Sequence, residues 1–432
     1  MAEQALTVGR RQGLFYGWWI VFLGFANNFC AAGFGGYAFS VLLKSMADDA
    51  NLGWSRTEIV LGMTLSAIVG TAAGPFLGPL VDRKHGARLI MAFAGITGGL
   101  GIALVSQVDH LWQYYLLFGV LTALVMNITI SLVVPTVVSK WFIRQRGRAL
   151  ILSTMGRPLS GILLLPLTQV LVSSVGWRTT WLIFGIAVAA ILLPANGLLM
   201  RRSPEDVGLR PDGDDPKRPI HEVAQPASES REVSWTLISA MRAPQFWLVL
   251  MATNLGMAGL AGVLINQVAY LKENFSDSVA VAGATLVTVV SLTSRALWLM
   301  IVDRVDPRYS VAGAFAVAGL GMVFLINATT IPLMVLWAIA FGMGIAGMDP
   351  LTSQLFASYF GRTFLGSIRG VVALTTGIAF AGAPLLTAFI ADATDDYRIA
   401  FLVFLIGFSI ATLLILFARR PQPRRGKLTP AL

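Results

Sequence analysis

Apolar residues run along this chain in stretches of about 20, each closed by a short polar or charged turn. A helix of that length covers the roughly 30 Å hydrocarbon core of a bilayer at about 1.5 Å per residue. Twelve such stretches are predicted, at 17–42, 57–81, 88–108, 113–137, 149–174, 179–200, 244–271, 279–302, 310–328, 332–357, 366–391 and 399–418. The first follows MAEQALTVGRRQG, opens on aromatics and has no small-residue cleavage site after it. It is expected to be a retained span and not a signal peptide. One connection stands out: residues 201–242 are rich in Pro, Asp, Ser and Glu and poor in large apolar residues, a composition that cannot bury a core. It separates residues 1–200 from 243–432. The expected fold is an all-α membrane protein of twelve transmembrane helices in two six-helix halves joined by a cytoplasmic linker.

Composition agrees and narrows the function classes. Hydrophobic residues make up 56% of the chain, charged residues 12%, and mean hydropathy is +0.73, where soluble domains carry about a quarter charged residues. One cysteine, Cys30, and three histidines argue against a disulfide framework and a Cys/His metal site. No phosphate-binding loop, paired catalytic carboxylates or nucleophile with a plausible base is present, so neither an enzyme nor a cofactor is expected. The net charge of +10 would suggest nucleic acid in a soluble protein, but its distribution gives it another meaning. With the N-terminus on one side, that side receives 25 of the 32 Lys and Arg, and the opposite connections receive five. This bias places both termini in the cytoplasm.

A few ionisable residues fall inside the apolar stretches, where each costs several kcal/mol unless it faces protein or water. Arg295 lies eight residues before Asp303, about 12 Å inside as a helix. It is a candidate anion contact, or one member of a structural ion pair with Asp349. Arg157 lies nine residues past Arg148, about 14 Å inside. It either converges with Arg295 on the substrate or bonds carbonyls freed beside Pro158. Asp349 is the one acidic residue expected deep within a span. It is a candidate proton carrier, a permanent counter-ion of Arg295, or a cap for the break at Pro350. Neutral donors that suit a carboxylate with a hydroxyl or keto group include Asn28, Tyr37, Asn127, Asn266 and Tyr270. Each is open to the plainer reading of an interhelical hydrogen bond.

The chain also repeats itself. GPLVDRKHGAR, from Gly78 to Arg88, follows the second span and IVDRVDPR, from Ile301 to Arg308, follows the eighth. SKWFIRQRGRA after the fourth span is matched by ASYFGRTFLGSIRG after the tenth. With FYGWWIV opening the first span, the GWSR turn and RSPEDVGLRPDG after the sixth, these motifs resemble the major facilitator superfamily over the whole chain. Within it they resemble the bacterial monocarboxylate and oxalate/formate porter group. The resemblance implies a secondary transporter with alternating access, in the inner membrane of a bacterium. It implies that spans one, four, seven and ten line the cavity, and that two, five, eight and eleven form the seam between halves. Arg295 matches the arginine that binds the substrate carboxylate in those families, and the lining spans favour Asn127 and Tyr37 as further contacts.

The chain departs from that pattern at three points. Ser291 stands where animal monocarboxylate porters have an aspartate, Tyr37 where they carry a lysine, and the eleventh span has no lysine. Asp82, Arg83 and Arg88, with Asp303, Arg304 and Arg308 as counterparts, are candidate gating residues that bond across the seam or to neighbouring helix ends. Alternatively, these arginines enforce topology and bind lipid phosphate. The expected function is transport of a small organic anion, most of all a monocarboxylate, with proton coupling left open. A dicarboxylate or oxalate exchanger, efflux of apolar compounds and a non-transporting membrane receptor are the alternatives. Expected partners are a small carboxylate, protons if coupled, and lipid, with no nucleic acid, and the expected state is a monomer.

Overall fold

The structure, a computed structural model, describes residues 15–214, 234–394 and 396–421. The N-terminal tail, residues 215–233 of the expected linker and the last residues of the C-terminal tail lie outside them. The described residues form helices and turns, with no strand among them. In chain order the helices are α1 (Gly17–Ala47), α2 (Arg56–Val81), α3 (Gly86–Gln107), α4 (residues 111–141), α5 (Arg146–Leu199), α6 (Leu237–Met241), α7 (Pro244–Leu271), α8 (Asp277–Ile301), α9 (Pro307–Ile326), α10 (Ile331–Phe360), α11 (Leu365–Thr394) and α12 (Tyr397–Phe417).

Ten of these helices are long and apolar enough to cross a membrane. The expectation of twelve spans differs at two places, for local reasons. α5 runs for 54 residues, but Gly176 inside it has φ 79° and ψ 167°, a backbone that glycine adopts without the Cβ penalty. α4 is broken into a helical turn Leu111–Tyr114, π-helical stretches Tyr115–Leu121 and Leu124–Val133, and a helix Val134–Trp141. π-helical segments of this kind leave backbone carbonyls off the regular ladder and collect at functional sites.

Helix starts are set by familiar caps. Ser55 and Glu58 form a capping box at α2, and Asp306 accepts from the Arg308 N–H ahead of α9. Each satisfies donors that a helix start leaves open. One apolar core unites α7 to α12 with α6 and Ile151 of α5. Two others fill the space among α1 to α5, one near Trp54, Tyr114 and Trp181, the other near Trp141 and Phe142. Large apolar side chains also cover the outside: Phe76 of α2 and Phe389 of α11 are 81% and 72% exposed. Such a surface belongs in lipid.

α2 and α11 touch backbone to backbone. A Cβ on Gly74 would lie 2.7 Å from the Gly370 carbonyl, and one on Gly78 would lie 2.5 Å from that of Gly366. Only glycine allows this approach, which small residues supply where lipid removes the hydrophobic drive between helices. On the other flank, a Cβ on Gly147 of α5 would lie 2.2 Å from the Val302 side chain just past α8. The helices of the first and second parts of the chain are therefore closed on each other at the end where α2 and α8 finish and α5 and α11 begin.

Candidate substrate site and cytoplasmic gate

Three arginines and one aspartate occupy the closed seam. Arg157 of α5 pairs with Asp349 of α10, Nη1 lying 2.9 Å from Oδ2. Its Nε donates to the Asn28 side-chain oxygen of α1 at 2.6 Å, and its Nη2 to the Ile130 carbonyl of α4 at 3.3 Å. The planar guanidinium fork is thus oriented from three helices. Arg295 of α8 is buried and donates Nη1 to the Thr154 hydroxyl of α5. Arg369 of α11, also buried, donates Nη1 to the Ser353 hydroxyl and Nη2 to the Ser131 carbonyl, both at 2.8 Å. Among the described residues neither Arg295 nor Arg369 has an acceptor for its Nε. Arg157 and Asp349 lie within electrostatic reach of both.

This arrangement sets aside one of the readings left open for Asp349 and brings in a further arginine. Asp349 makes its ion pair with Arg157 and not with Arg295, because the two arginines reach the seam from different helices and α5 presents the nearer one. Arg369, inside the expected eleventh span but counted among the basic residues of the turn before it, is the fifth residue of α11 and is buried. The apolar residues around it, Ile368 and Val371, were the available signal. Three guanidinium groups against one carboxylate leave two positive charges in excess. Neutral hydroxyls and carbonyls hold these cations in place without cancelling the charge, and the low dielectric around them strengthens their attraction for an anion.

The neutral candidates divide. Tyr37 ends a π-helical stretch Gly33–Tyr37 in α1, and its ring lies over Gly161, whose Cβ would sit 2.9 Å from Cζ. Its hydroxyl feels both Arg157 and Arg295. Asn127 donates to the Ser66 carbonyl at 3.0 Å and to its hydroxyl at 3.3 Å, tying α4 to α2. Asn28 acts through Arg157, because its oxygen already accepts from that side chain. Asn266 donates one turn back to Gly262 at 2.9 Å. Tyr270 is not brought to the arginines: its hydroxyl bonds the Ile326 carbonyl at 3.1 Å and its ring packs edge-on against Phe401.

At the closed end, Asp82 joins the two parts of the chain. Its carboxylate accepts from Lys140 Nζ at 2.7 Å, from the Gly366 and Ser367 N–H groups at 2.9 and 2.8 Å, and from the Ser367 hydroxyl at 2.9 Å. It therefore caps the positive end of α11. Asp303 stands in the matching place: it lies 2.8 Å from Arg148 Nε near the start of α5, and among the described residues neither of its carboxylate oxygens accepts a hydrogen bond. Burial pushes its carboxyl above the usual carboxylate range, and the Arg148 guanidinium opposes that rise.

The four arginines of the gating set do not cross the seam. Arg83 and Arg304 are exposed. Arg88 donates to the Gly197 carbonyl at the end of α5, and Arg308 stacks on Tyr309 and bonds its hydroxyl. Sequence reasoning missed the groups that do cross or support the crossing. Lys140 and Arg148 hold the two aspartates. Glu205 meets Arg362 at 2.8 Å, and Arg202 donates to the Asp82 carbonyl at 2.7 Å while forking onto Asp206. Asp212, at φ 57°, accepts from the N–H groups of Ile143, Arg144 and Gln145 ahead of α5. The PEDVGLRPDG stretch signalled these last contacts only as a turn-rich, acidic segment.

Comparison with known proteins gives one family. The Major Facilitator Superfamily profile matches residues 23–271 and 256–431. Monocarboxylate transporter 4 of Gallus gallus is 25% identical over 414 residues, covering 93% of this chain and 82% of that protein. Monocarboxylate transporter 3 of Rattus norvegicus is 29% identical over 394 residues, covering 89% and 76%. Among solved structures, the proton:xylose symporter XylE bound to 6-bromo-6-deoxy-D-glucose superimposes with a TM-score of 0.73. That match is 12% identical in sequence and covers 94% of this chain and 96% of that one.

Proposed function

The chain belongs to the Major Facilitator Superfamily as a multi-pass integral membrane protein, and on that premise we propose that it is a secondary active transporter of a small organic anion. The substrate is a monocarboxylate of the lactate and pyruvate kind. The observation that carries this reading is the excess of cation over carboxylate among Arg157, Arg295, Arg369 and Asp349. The names of the relatives, monocarboxylate transporters over most of their length, point the same way.

In this reading the chain crosses the membrane twelve times. The 54 residues of α5 would span about 81 Å as one helix, far beyond a single bilayer core, and Gly176 divides them. Residues 1–200 and 243–432 move as two halves about the seam, with both termini in the cytoplasm of a bacterial cell as the basic bias supports. Arg295 takes the substrate carboxylate with two parallel bonds, while Tyr37 and Asn127 supply neutral contacts from the lining helices. Asp82 holds the cytoplasmic side shut by capping the start of α11, and Asp303 by its ion pair with Arg148 of α5.

Asp349 carries the coupled proton. As a carboxylate it holds Arg157 across the seam; once protonated it releases that arginine, so proton and anion arrive at one site together. Neutralising the carboxylate also raises the local positive charge that the substrate meets.

Uptake into proteoliposomes of labelled lactate, pyruvate, formate and oxalate, with and without an inward proton gradient, tests the reading. Saturable, gradient-driven accumulation of lactate or pyruvate is the expected result, and no saturable carboxylate uptake overturns it. Gradient-independent exchange confined to oxalate would favour a dicarboxylate exchanger, the reading that the two excess positive charges support second.

A further inference from the structure

Arg369 differs from the other two intramembrane arginines in depth and in partners. Measured from the aspartates at the closed end, Arg295 is eight residues inside Asp303, about 12 Å of helix rise. Arg369 is two residues past Ser367, the point where Asp82 caps α11, which is about 3 Å. Its Cα therefore lies nearer the capped end of the seam than that of Arg295, while its guanidinium reaches inward to the Ser131 carbonyl, beside the Ile130 carbonyl that Arg157 holds.

Its hydrogen bonds come from both sides of the seam. Ser353 lies on α10, one turn from Asp349, to whose carbonyl it donates at 2.8 Å. Ser131 lies in the π-helical stretch of α4, next to Ile130, whose carbonyl already accepts from Arg157. Two consecutive carbonyls of α4 thus receive guanidinium groups from α5 and α11. Neither Ser353 nor Ser131 carries charge, and among the described residues the Arg369 Nε has no acceptor. A buried guanidinium in this setting is held by neutral groups alone, with a donor to spare. When α4 and α11 separate at this end, the Ser131 bond must break, because its two partners travel on opposite halves.

We propose that Arg369 is a sided anion contact: it seals the floor of the site against Ser131 while the site faces outward, and it binds the substrate carboxylate while the site faces the cytoplasm. The inference rests on the organic-anion reading above and adds to it a residue that acts on one face only. An anion entering from the cytoplasm meets Arg369 with its Ser131 bond broken and that donor free. An anion entering from outside meets Arg295 with Arg369 still bonded to Ser131.

The test measures pyruvate half-saturation from each face, in right-side-out and inside-out membrane vesicles, for wild type, Arg369→Gln and Arg369→Lys. A lost charge-assisted bond corresponds to at least about tenfold. For Arg369→Gln the cytoplasmic half-saturation concentration should rise by that factor, while the outer one changes by less than about threefold. Arg369→Lys should recover part of the loss, since it keeps the charge but not the fork. The outer face serves as the control for folding. If the Gln variant fails to reach the membrane, a one-faced loss in the Lys variant carries the test. Equal losses on both faces, or an unchanged cytoplasmic value, would overturn the assignment. Wild type that takes up no carboxylate from either face would overturn the organic-anion reading itself, before any variant is compared.

Discussion

Neutralising Asp349 and Arg157 singly and together separates an ion pair that holds the protein together from one that works in transport. Each side chain keeps about a quarter of its surface, 28% and 27% respectively, so neither the fully exposed nor the fully buried case applies. Exposed pairs contribute about 0–1 kcal/mol, and breaking a fully buried pair costs about 3–5 kcal/mol. Asp349→Asn or Arg157→Gln alone should therefore cost about 1–3 kcal/mol, chiefly by leaving the other charge without its partner. Arg157 keeps Asn28 and the Ile130 carbonyl in the Asp349→Asn variant, so that variant should be the milder of the two. The double variant removes both charges and should recover most of the single loss. Thermal melting in detergent and pyruvate counterflow, measured on all four proteins, give the cycle. Asp349→Asn should retain counterflow and lose accumulation driven by a pH gradient. Additive single effects, with no coupling beyond about 0.5 kcal/mol, would show that the 2.9 Å contact carries no energy. Intact pH-driven accumulation in Asp349→Asn would remove that residue from the coupling.

Asp82→Asn keeps one acceptor oxygen but loses the charge that faces Lys140 and the start of α11. One charge-assisted bond of about 1.5–3 kcal/mol converts to roughly tenfold or more toward the cytoplasm-open state. Faster labelling from the cytoplasmic side of a cysteine placed at Ala373, which faces Gly74, checks this, with equilibrium substrate affinity within a few-fold. Unchanged labelling would refute the gate. Replacing Arg295 should give weakened but measurable carboxylate binding for Lys, and a loss of at least about tenfold for Gln. Equal affinity in wild type and Arg295→Gln, by equilibrium binding, would exclude Arg295 from the site. Asp303 has a raised pKa in the closed state, with Arg148 and Asp212 the charged groups acting on it; when released it returns to the ordinary carboxylate value. The closed state therefore binds the proton more tightly, so acidifying through the interval between the two values should favour closure, and raising the pH above it should weaken that preference. Asp303→Asn should abolish this part of the pH dependence in the same cysteine-labelling assay, and an unaltered pH profile would exclude Asp303 as its source.

Periodicity made the apolar helices legible, and charge picked out the turns that carry Asp82 and Asp303, because each is written in consecutive residues. The repeated DR turns could be aligned without knowing what they touch. Their partners could not: Lys140 is 58 positions from Asp82, and Ser367 is 285. Helix rise placed Arg157 and Arg295 at similar depth, yet depth does not say which side of a helix faces Asp349, so the sequence offered Arg295 as one possible counter-ion where Arg157 makes the pair. Arg369 was hidden by its neighbours, since an arginine seven residues after Arg362 resembles the rest of a charged turn. The π-helical break in α4 left no trace at all, because LVMNITISLV contains neither Pro nor Gly.

The contacts of the three intramembrane arginines all cross the seam. Arg157 reaches Asp349, Arg295 reaches Thr154 and Arg369 reaches Ser131, so every intramembrane arginine spans the two parts of the chain on the closed side. A site built this way needs no separate sensor, because an anion that competes for a guanidinium group also competes for the bond that keeps the halves together. Ligands shift a conformational balance only as far as they bind one state better than the other. In the proposed site the difference is local: the nitrogen atoms that would receive a carboxylate are the ones that hold the opposite half.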